Sequence, residues 1–290
     1  MIYTHNIYWN KMYTSARYAF DTTRKSAEIV KTIGQDNVKS PIKMLTTAYK
    51  EIIKSTSPTY VHALTTGNPQ HIANSNGFCW DLGIWYMALH STAGVLSAVN
   101  TALNENTIAG SLSSGLHHAD HKSGRGFCTI NGLAVAANSL PANITILDFD
   151  AHCGGGTVNT LRHLKIDNRV HQHDISTNHY DAYQPDDNHT ITIATNPKTY
   201  IEAVHNTLQK IDTNTELIIY NAGTDPYPEI DHDTLQYRDH LVFNHALNKN
   251  IPCAYVLAGG YTDQQTMEQL VQSHINTLNA AETALKCNAN

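Results

Sequence analysis

The sequence is short of cysteine, of charge and of basic residues, and each shortage excludes a class of protein. Only 5 of the 290 residues are cysteine, and none forms a CxxC pair, so neither a disulfide framework nor a structural zinc knuckle is indicated. Charged residues make up 15% of the chain and sum to −6, which argues against binding nucleic acid or an anionic membrane through charge. No run reaches the roughly 18 apolar residues of a membrane-spanning helix, and no secretory signal pattern is present. We therefore expect a cytoplasmic protein in a reducing compartment.

The apolar residues, 41% of the chain, are arranged as helices first and as alternating strands and helices later. Helical spacing dominates about the first 110 residues and includes a long helix over 84–104. Short apolar runs then predict strands at 144–147, 190–193, 217–220 and 254–257, with helices near 199–211, 233–248 and 263–285. Since no linker divides the chain, we predict one α/β domain over 1–290, with a central, mostly parallel sheet flanked by helices on both faces.

Polar residues follow two of the predicted strands, at 144–147 and 217–220. Asp150 and His152 come after the strand at 144–147, and they point to the same side of an extended chain. Asp225 follows the strand at 217–220, and ligands bind beyond the carboxyl ends of parallel strands. Two carboxylates and one imidazole form a plausible catalytic zinc set, although residues of these types also cap loops.

A second cluster is the tandem pair His117-His118, which lies in a glycine-flanked stretch. Imidazole titrates near neutral pH, so two adjacent histidines can supply a general base and a general acid. The alternative is a solvated loop. Glycine on both sides favours the functional interpretation, because it permits the backbone to approach a ligand closely.

Taken in order, the stretches GLHHA, GFCTING, LDFDAH, NAGTD and LAGGY resemble the histone deacetylase family and its bacterial relatives, the acetylpolyamine amidohydrolases and acetoin-utilisation proteins. The resemblance runs from about residue 77 to 262 and implies an arginase/deacetylase-like fold. It implies a metal-dependent amidohydrolase that removes an acetyl or other acyl group from an amine, such as acetyl-lysine in a peptide or an acetylpolyamine. The oligomeric state stays open.

By position, the resemblance implies that one Zn²⁺ or Fe²⁺ ion is bound by Asp150, His152 and Asp225. A monovalent cation such as K⁺ near Asp148 and Asp150 is a further implication. The other roles that it implies are tandem catalytic histidines (His117 and His118), a tyrosine that polarises the acyl carbonyl (Tyr261), a carboxylate that holds His117 (Asp148), a channel lining (Gly126 and Phe127) and a contact to the substrate backbone (Asp81).

One departure from the family pattern concerns His118. The family usually has Asp or Asn five residues after the first metal-binding Asp, in contact with the second histidine, and this chain has Gly155 there. Water or another side chain could take the place of that residue. With neither, His118 has no direct charge partner, and we expect it to be neutral over most of the physiological pH range. On that hypothesis, Gly155→Asp moves the acidic limb of kcat/KM to higher pH.

Two alternatives belong to other functional classes. A ureohydrolase of the same fold needs carboxylates for a second metal ion, and Gly154 and Gly223 occupy the positions where they would stand. A binding protein derived from a weakened deacetylase is the other alternative, and the glycine at 155 is the reason to consider it.

Overall fold

A parallel sheet forms the centre of the computed structural model, which describes residues 2–17 and 21–288. Within those residues its seven strands are β1 (Asn6–Tyr8), β2 (Ile108–Ser111), β3 (Ile144–Asp148), β4 (Val170–Ser176), β5 (His189–Ile193), β6 (Leu217–Gly223) and β7 (Cys253–Ala258). They lie in the order β1-β2-β7-β6-β3-β4-β5, and every neighbouring pair is parallel. The predicted α/β class is confirmed, with a sheet that is parallel throughout.

Helices cover both faces of the sheet. In the same residues they are α1 (Asp21–Ile33), α2 (Leu45–Ser55), α3 (Pro58–Thr66), α4 (Gln70–Ala73), α5 (Leu82–Glu105), α6 (Gly132–Asn138), α7 (Gly155–Leu164), α8 (Pro197–Gln209), α9 (His232–Asn248) and α10 (Met267–Asn288). Residues of α2, α5, α6 and α7 contribute to one buried apolar cluster with the strands, while α1, α8, α9 and α10 contribute to another. Helices on both faces explain why the strands are apolar on both sides.

The longest helix, α5, belongs to this core. It is long and apolar enough to cross a membrane by length and composition, yet 78% of its most apolar 18-residue stretch is buried inside the protein. A helix that is apolar nearly all round is typical of a buried position in a large domain.

Sequence reasoning missed three strands. β1 and β2 lie in the region predicted as helical, where runs of three and four residues are too short to show a strand period. The sequence of β4 is polar and therefore does not predict a buried strand, yet Gln172 and Asp174 are buried. Their burial is possible because Nε2 of Gln172 donates to Oδ1 of Asp174 at 2.7 Å. Mutual hydrogen bonding lets polar residues occupy a central strand.

The strand order places a crevice at the carboxyl ends of β3 and β6. The chain passes from β3 to β4 on one side, then returns through β6 to the other side of β3. Such a reversal is where open α/β sheets bind their ligands.

Candidate functional site

Three of the predicted ligands meet at this crevice. Asp150 and His152 follow β3, Asp225 follows β6, and each offers a donor atom within 4.8 Å of the others. Nδ1 of His152 lies 3.1 Å from Oδ1 of Asp150 and 3.6 Å from Oδ2 of Asp225. Among the described residues, this is the one group of at least three His, Cys, Asp or Glu side chains that could hold a metal ion.

A buried arginine on α9 connects the two strand ends that carry these ligands. Nη1 of Arg238 donates to the carbonyl of Phe149 at 3.0 Å and to that of Gly223 at 2.7 Å. Its Nε donates to Asp239 at 2.9 Å, and the side chain is fully buried. Arg238 thereby joins the backbone at the ends of β3 and β6, just before the metal-ligand positions, a role that no sequence motif signals.

The charges in the cluster favour a cation. Burial and the negative charge of Asp150 raise the pKa of Asp225 to about 7. Fully buried Lys25, which sequence reasoning also missed, donates to the carbonyl of Gly259, and burial lowers its pKa to about 7. One imidazole and two mutually repelling buried carboxylates are the donor set and charge balance that suit a divalent ion such as Zn²⁺.

His117 is paired with a carboxylate inside the sheet. Its Nδ1 donates to Oδ2 of Asp148 at 2.7 Å, and Oδ1 of the same carboxylate accepts from Asn221 at 2.8 Å. Asp148, the last residue of β3, is fully buried. Burial by itself lowers the pKa of His117, but the charges of Asp148 and Asp150 prevail and raise it to about 10. His117 is therefore a protonated donor, as a general acid must be.

His118 also has a carboxylate partner, which corrects the expectation drawn from Gly155. Its Nδ1 lies 2.9 Å from Oδ2 of Asp181, a residue of the loop 177–188 between β4 and β5. The pKa of His118 is nevertheless lowered to about 4, because burial and the positive charge of His117 outweigh Asp181. The lowered pKa agrees with the expected neutral His118, and the partner that Gly155 cannot provide is supplied by another side chain, Asp181.

These groups open into one cavity of about 320 Å³. The predicted site residues that line it are His117, His118, Gly126, Phe127, Asp150, His152, Asp225 and Tyr261. Gly126 has a φ of +52°, and a Cβ there would lie 2.7 Å from the ring of His118, so the wall needs glycine at this position.

Two tyrosines lie on the cavity wall. Tyr261 is half-buried, and burial together with the charge of Asp225 raises its pKa, so its hydroxyl keeps a proton to donate. Tyr180, which sequence reasoning missed, packs edge-on against His118 and His152, with ring centroids 4.9 and 5.5 Å apart.

Asp81 lies outside the residues that line this cavity. Its Oδ1 accepts from the backbone N–H of Gly83 at 2.6 Å, and Oδ2 accepts from that of Arg17 at 2.8 Å. The first contact caps the start of α5, and the second joins the N-terminal segment at Arg17 to this helix end.

Comparison with known proteins shows the family of this chain. Residues 18–278 match the family model described as histone deacetylase domain. An uncharacterized protein of Picosynechococcus sp. is 25% identical over 232 residues, which cover 75% of this chain and 76% of that protein. Histone deacetylase 2 of Arabidopsis thaliana is 27% identical over 205 residues, which cover 61% of this chain and half of that protein.

A solved structure shares the fold at low identity. The acetylpolyamine aminohydrolase of Burkholderia pseudomallei superposes with a TM-score of 0.75 at 16% identity, over 96% of this chain and 98% of its own. The family match spans most of the chain and includes every residue of the cavity described above. This chain belongs to the histone deacetylase family.

Proposed function

We propose that the protein is a metal-dependent amidohydrolase that removes an acetyl or other acyl group from an amine. The observation that carries the proposal is one cavity in which the donors Asp150, His152 and Asp225 lie beside two histidines, each paired with a carboxylate. The donor set favours Zn²⁺, with Fe²⁺ as the alternative ion, and K⁺ near Asp148 remains a prediction from the resemblance.

A divalent ion bound by these three residues would supply an acidified water and polarise the amide carbonyl. Neutral His118 accepts a proton from the attacking water at Nε2, because its Nδ1 faces Asp181. Protonated His117, held by Asp148, donates a proton to the amine nitrogen as the C–N bond breaks. The Tyr261 hydroxyl donates to the carbonyl oxygen while negative charge develops on it. The products are the carboxylic acid and the free amine, and one proton has moved from His117 to His118.

The cavity wall supports a substrate with an alkyl chain that ends in an amide. Phe127 and Tyr180 give the wall two aromatic side chains, and the two histidines and the three metal-ligand candidates line the same cavity. Acetyl-lysine in a peptide and an acetylpolyamine both have this shape, and a structural neighbour is named for the second. We propose a substrate of this class, a cytoplasmic location, and no role for nucleic acid or membrane.

The alternatives lose support from particular residues. A Cβ at Gly154 would lie 2.5 Å from Asp148, so a second-metal carboxylate has no room there. The binding-protein alternative depended on an unpartnered His118, and Asp181 removes that argument.

The test is metal content and turnover measured together. We expect one equivalent of Zn²⁺ or Fe²⁺ in the wild-type protein and hydrolysis within a panel of acylated lysine peptides and acetylpolyamines. Asp150→Ala and Asp225→Ala should lose both properties, whereas Asp187→Asn, an exposed carboxylate on the loop after β4, should lose neither. Two equivalents of bound metal, or no turnover of any panel member by the loaded protein, would contradict the proposal.

A further inference from the structure

We propose that Asp181 is the positioning residue of His118, supplied by the loop 177–188 in place of the side chain that position 155 lacks. The inference rests on the proposed function for its catalytic meaning, but its geometry is independent of substrate.

Three donors hold the Asp181 carboxylate. Oδ2 faces Nδ1 of His118 at 2.9 Å and accepts from the backbone N–H of Gly156 at 3.1 Å. Oδ1 accepts from Nη1 of Arg125 at 2.9 Å. The side chain is only 5% exposed, although Arg125 reaches it from solvent with 61% of its own side chain exposed. Both oxygens are therefore fixed, and the imidazole of His118 is held with Nε2 toward the cavity.

Gly155 is what allows the loop to approach. A Cβ at this position would lie 2.2 Å from the backbone carbonyl oxygen of Asp181 and 3.0 Å from its Cγ. Asp181 itself has a φ of +57°, in the left-handed region that Asp and Asn tolerate better than most residues. The absent side chain at 155 and the docked loop are thus two parts of one arrangement.

The same loop also contacts the substrate cavity. Tyr180 lines the wall beside Asp181, and its ring lies edge-on to that of His118. Tyr180 and Asp181 therefore have different roles on this loop. Tyr180 forms part of the cavity wall, and Asp181 orients His118. Loss of the Asp181 carboxylate should then lower kcat much more than it raises KM.

The experiment compares Asp181→Asn and Asp181→Ala with the control Asp187→Asn on the same loop. Asn suits the left-handed backbone and can still accept from Gly156, so this variant should fold. We expect kcat to fall about 10- to 100-fold in Asp181→Ala, the usual effect of removing a residue that orients a catalytic ligand, with KM within about two-fold and metal content unchanged. Asp181→Asn should lose less, because its amide oxygen can still accept from Nδ1–H of His118. Asp187→Asn should match the wild type.

A second readout needs no substrate. In the Zn²⁺-loaded protein with ¹⁵N-labelled histidine, Nδ1–H of His118 should give a low-field proton resonance, assigned by its loss in His118→Gln. The resonance should disappear in Asp181→Ala and persist in Asp187→Asn. If it is unmoved in Asp181→Ala, or if KM rises while kcat is kept, Asp181 does not position His118. If it disappears in a protein that hydrolyses no substrate, the pairing stands and the proposed function fails.

Discussion

The two tandem histidines face carboxylates at similar distances but are held by different parts of the molecule. Asp148 is the last residue of strand β3, and its Oδ2 lies 2.7 Å from Nδ1 of His117. Asp181 belongs to the loop 177–188, and its Oδ2 lies 2.9 Å from Nδ1 of His118. The centroids of the two imidazole rings are only 4.0 Å apart. A carboxylate partner alone therefore does not decide whether a histidine is charged.

The surroundings of each pair explain the difference. The negative charges of Asp148 and Asp150 lie around His117, so its pKa rises to about 10 despite burial. Around His118, burial and the charge of His117 act in the opposite direction and keep its pKa at about 4. The first charged ring thereby keeps its neighbour neutral, which gives the site one acid and one base from two identical side chains.

The largest effect on kcat should come from disrupting the pair of His117 and Asp148 at the end of β3. Asp148→Asn should lower kcat by about 10³- to 10⁴-fold, the scale of an Asp-to-Asn change behind a catalytic histidine, because the amide does not stabilise a charged His117. Steady-state kinetics should show this loss to exceed that of Asp181→Asn. Equal losses of kcat in folded, metal-loaded variants would mean that the His117–Asp148 pair and the His118–Asp181 pair contribute equally to catalysis.

Tyr261→Phe tests a hydroxyl that belongs to neither pair. We expect kcat to fall about 10²- to 10³-fold with the metal still bound, as for the loss of one oxyanion donor. Combined with Asp181→Asn, the two losses should multiply, since each residue acts on a different atom of the reaction. Unchanged kcat in Tyr261→Phe would instead assign the ring a packing role.

Substitutions at Gly154 and Gly155 should disturb the His117–Asp148 pair and the His118–Asp181 pair separately. An Ala Cβ at Gly155 would lie 2.2 Å from the Asp181 carbonyl oxygen, and one at Gly154 would lie 2.5 Å from Oδ2 of Asp148. We expect Gly155→Ala to remove the low-field resonance of His118 and lower kcat about 10- to 100-fold. Gly154→Ala should affect His117 instead. A His118 resonance that survives in Gly155→Ala would show that the loop accommodates the methyl group.

The smallest effect concerns a buried histidine without a carboxylate. Nδ1 of His173 lies 2.9 Å from the Thr190 hydroxyl, and burial lowers its pKa to about 4. The folded state resists protonation, so the stability of the wild type should be full above the unfolded pKa of about 6.5 and should fall between that pH and 4, by about 2–3 kcal/mol from this group.

Urea unfolding of wild type and His173→Gln at pH 7 and pH 4.5 measures this contribution. The variant should lose less stability on acidification than the wild type. The same loss in both proteins would mean that His173 is not the group that titrates.

Much of the site could be predicted because its residues follow strands in recognisable order. Asp150, His152 and Asp225 meet as expected, since parallel strands end at one edge. Asp181 could not be found in this way, because one acidic residue in a polar loop carries no periodic signal. Arg238 and Lys25 act through backbone carbonyls of distant strands, and such contacts become visible only when the chain is folded.

The close approach of Gly155 to the Asp181 carbonyl also constrains how this sequence can change. In Gly155→Asp, the new Cβ would lie 2.2 Å from the Asp181 carbonyl oxygen, and the new carboxylate would face the negative charge of Asp181 instead of taking over its role. A return to the residue pattern usual in the family therefore requires the loop to be rebuilt at the same time. His118 can be positioned by a side chain at 155 or by Asp181 on the loop, and a chain that changes only one of these positions leaves His118 without a well-placed partner. Substitutions at 155 and 181 should therefore be strongly epistatic, and relatives should exchange both residues together with the loop, or neither.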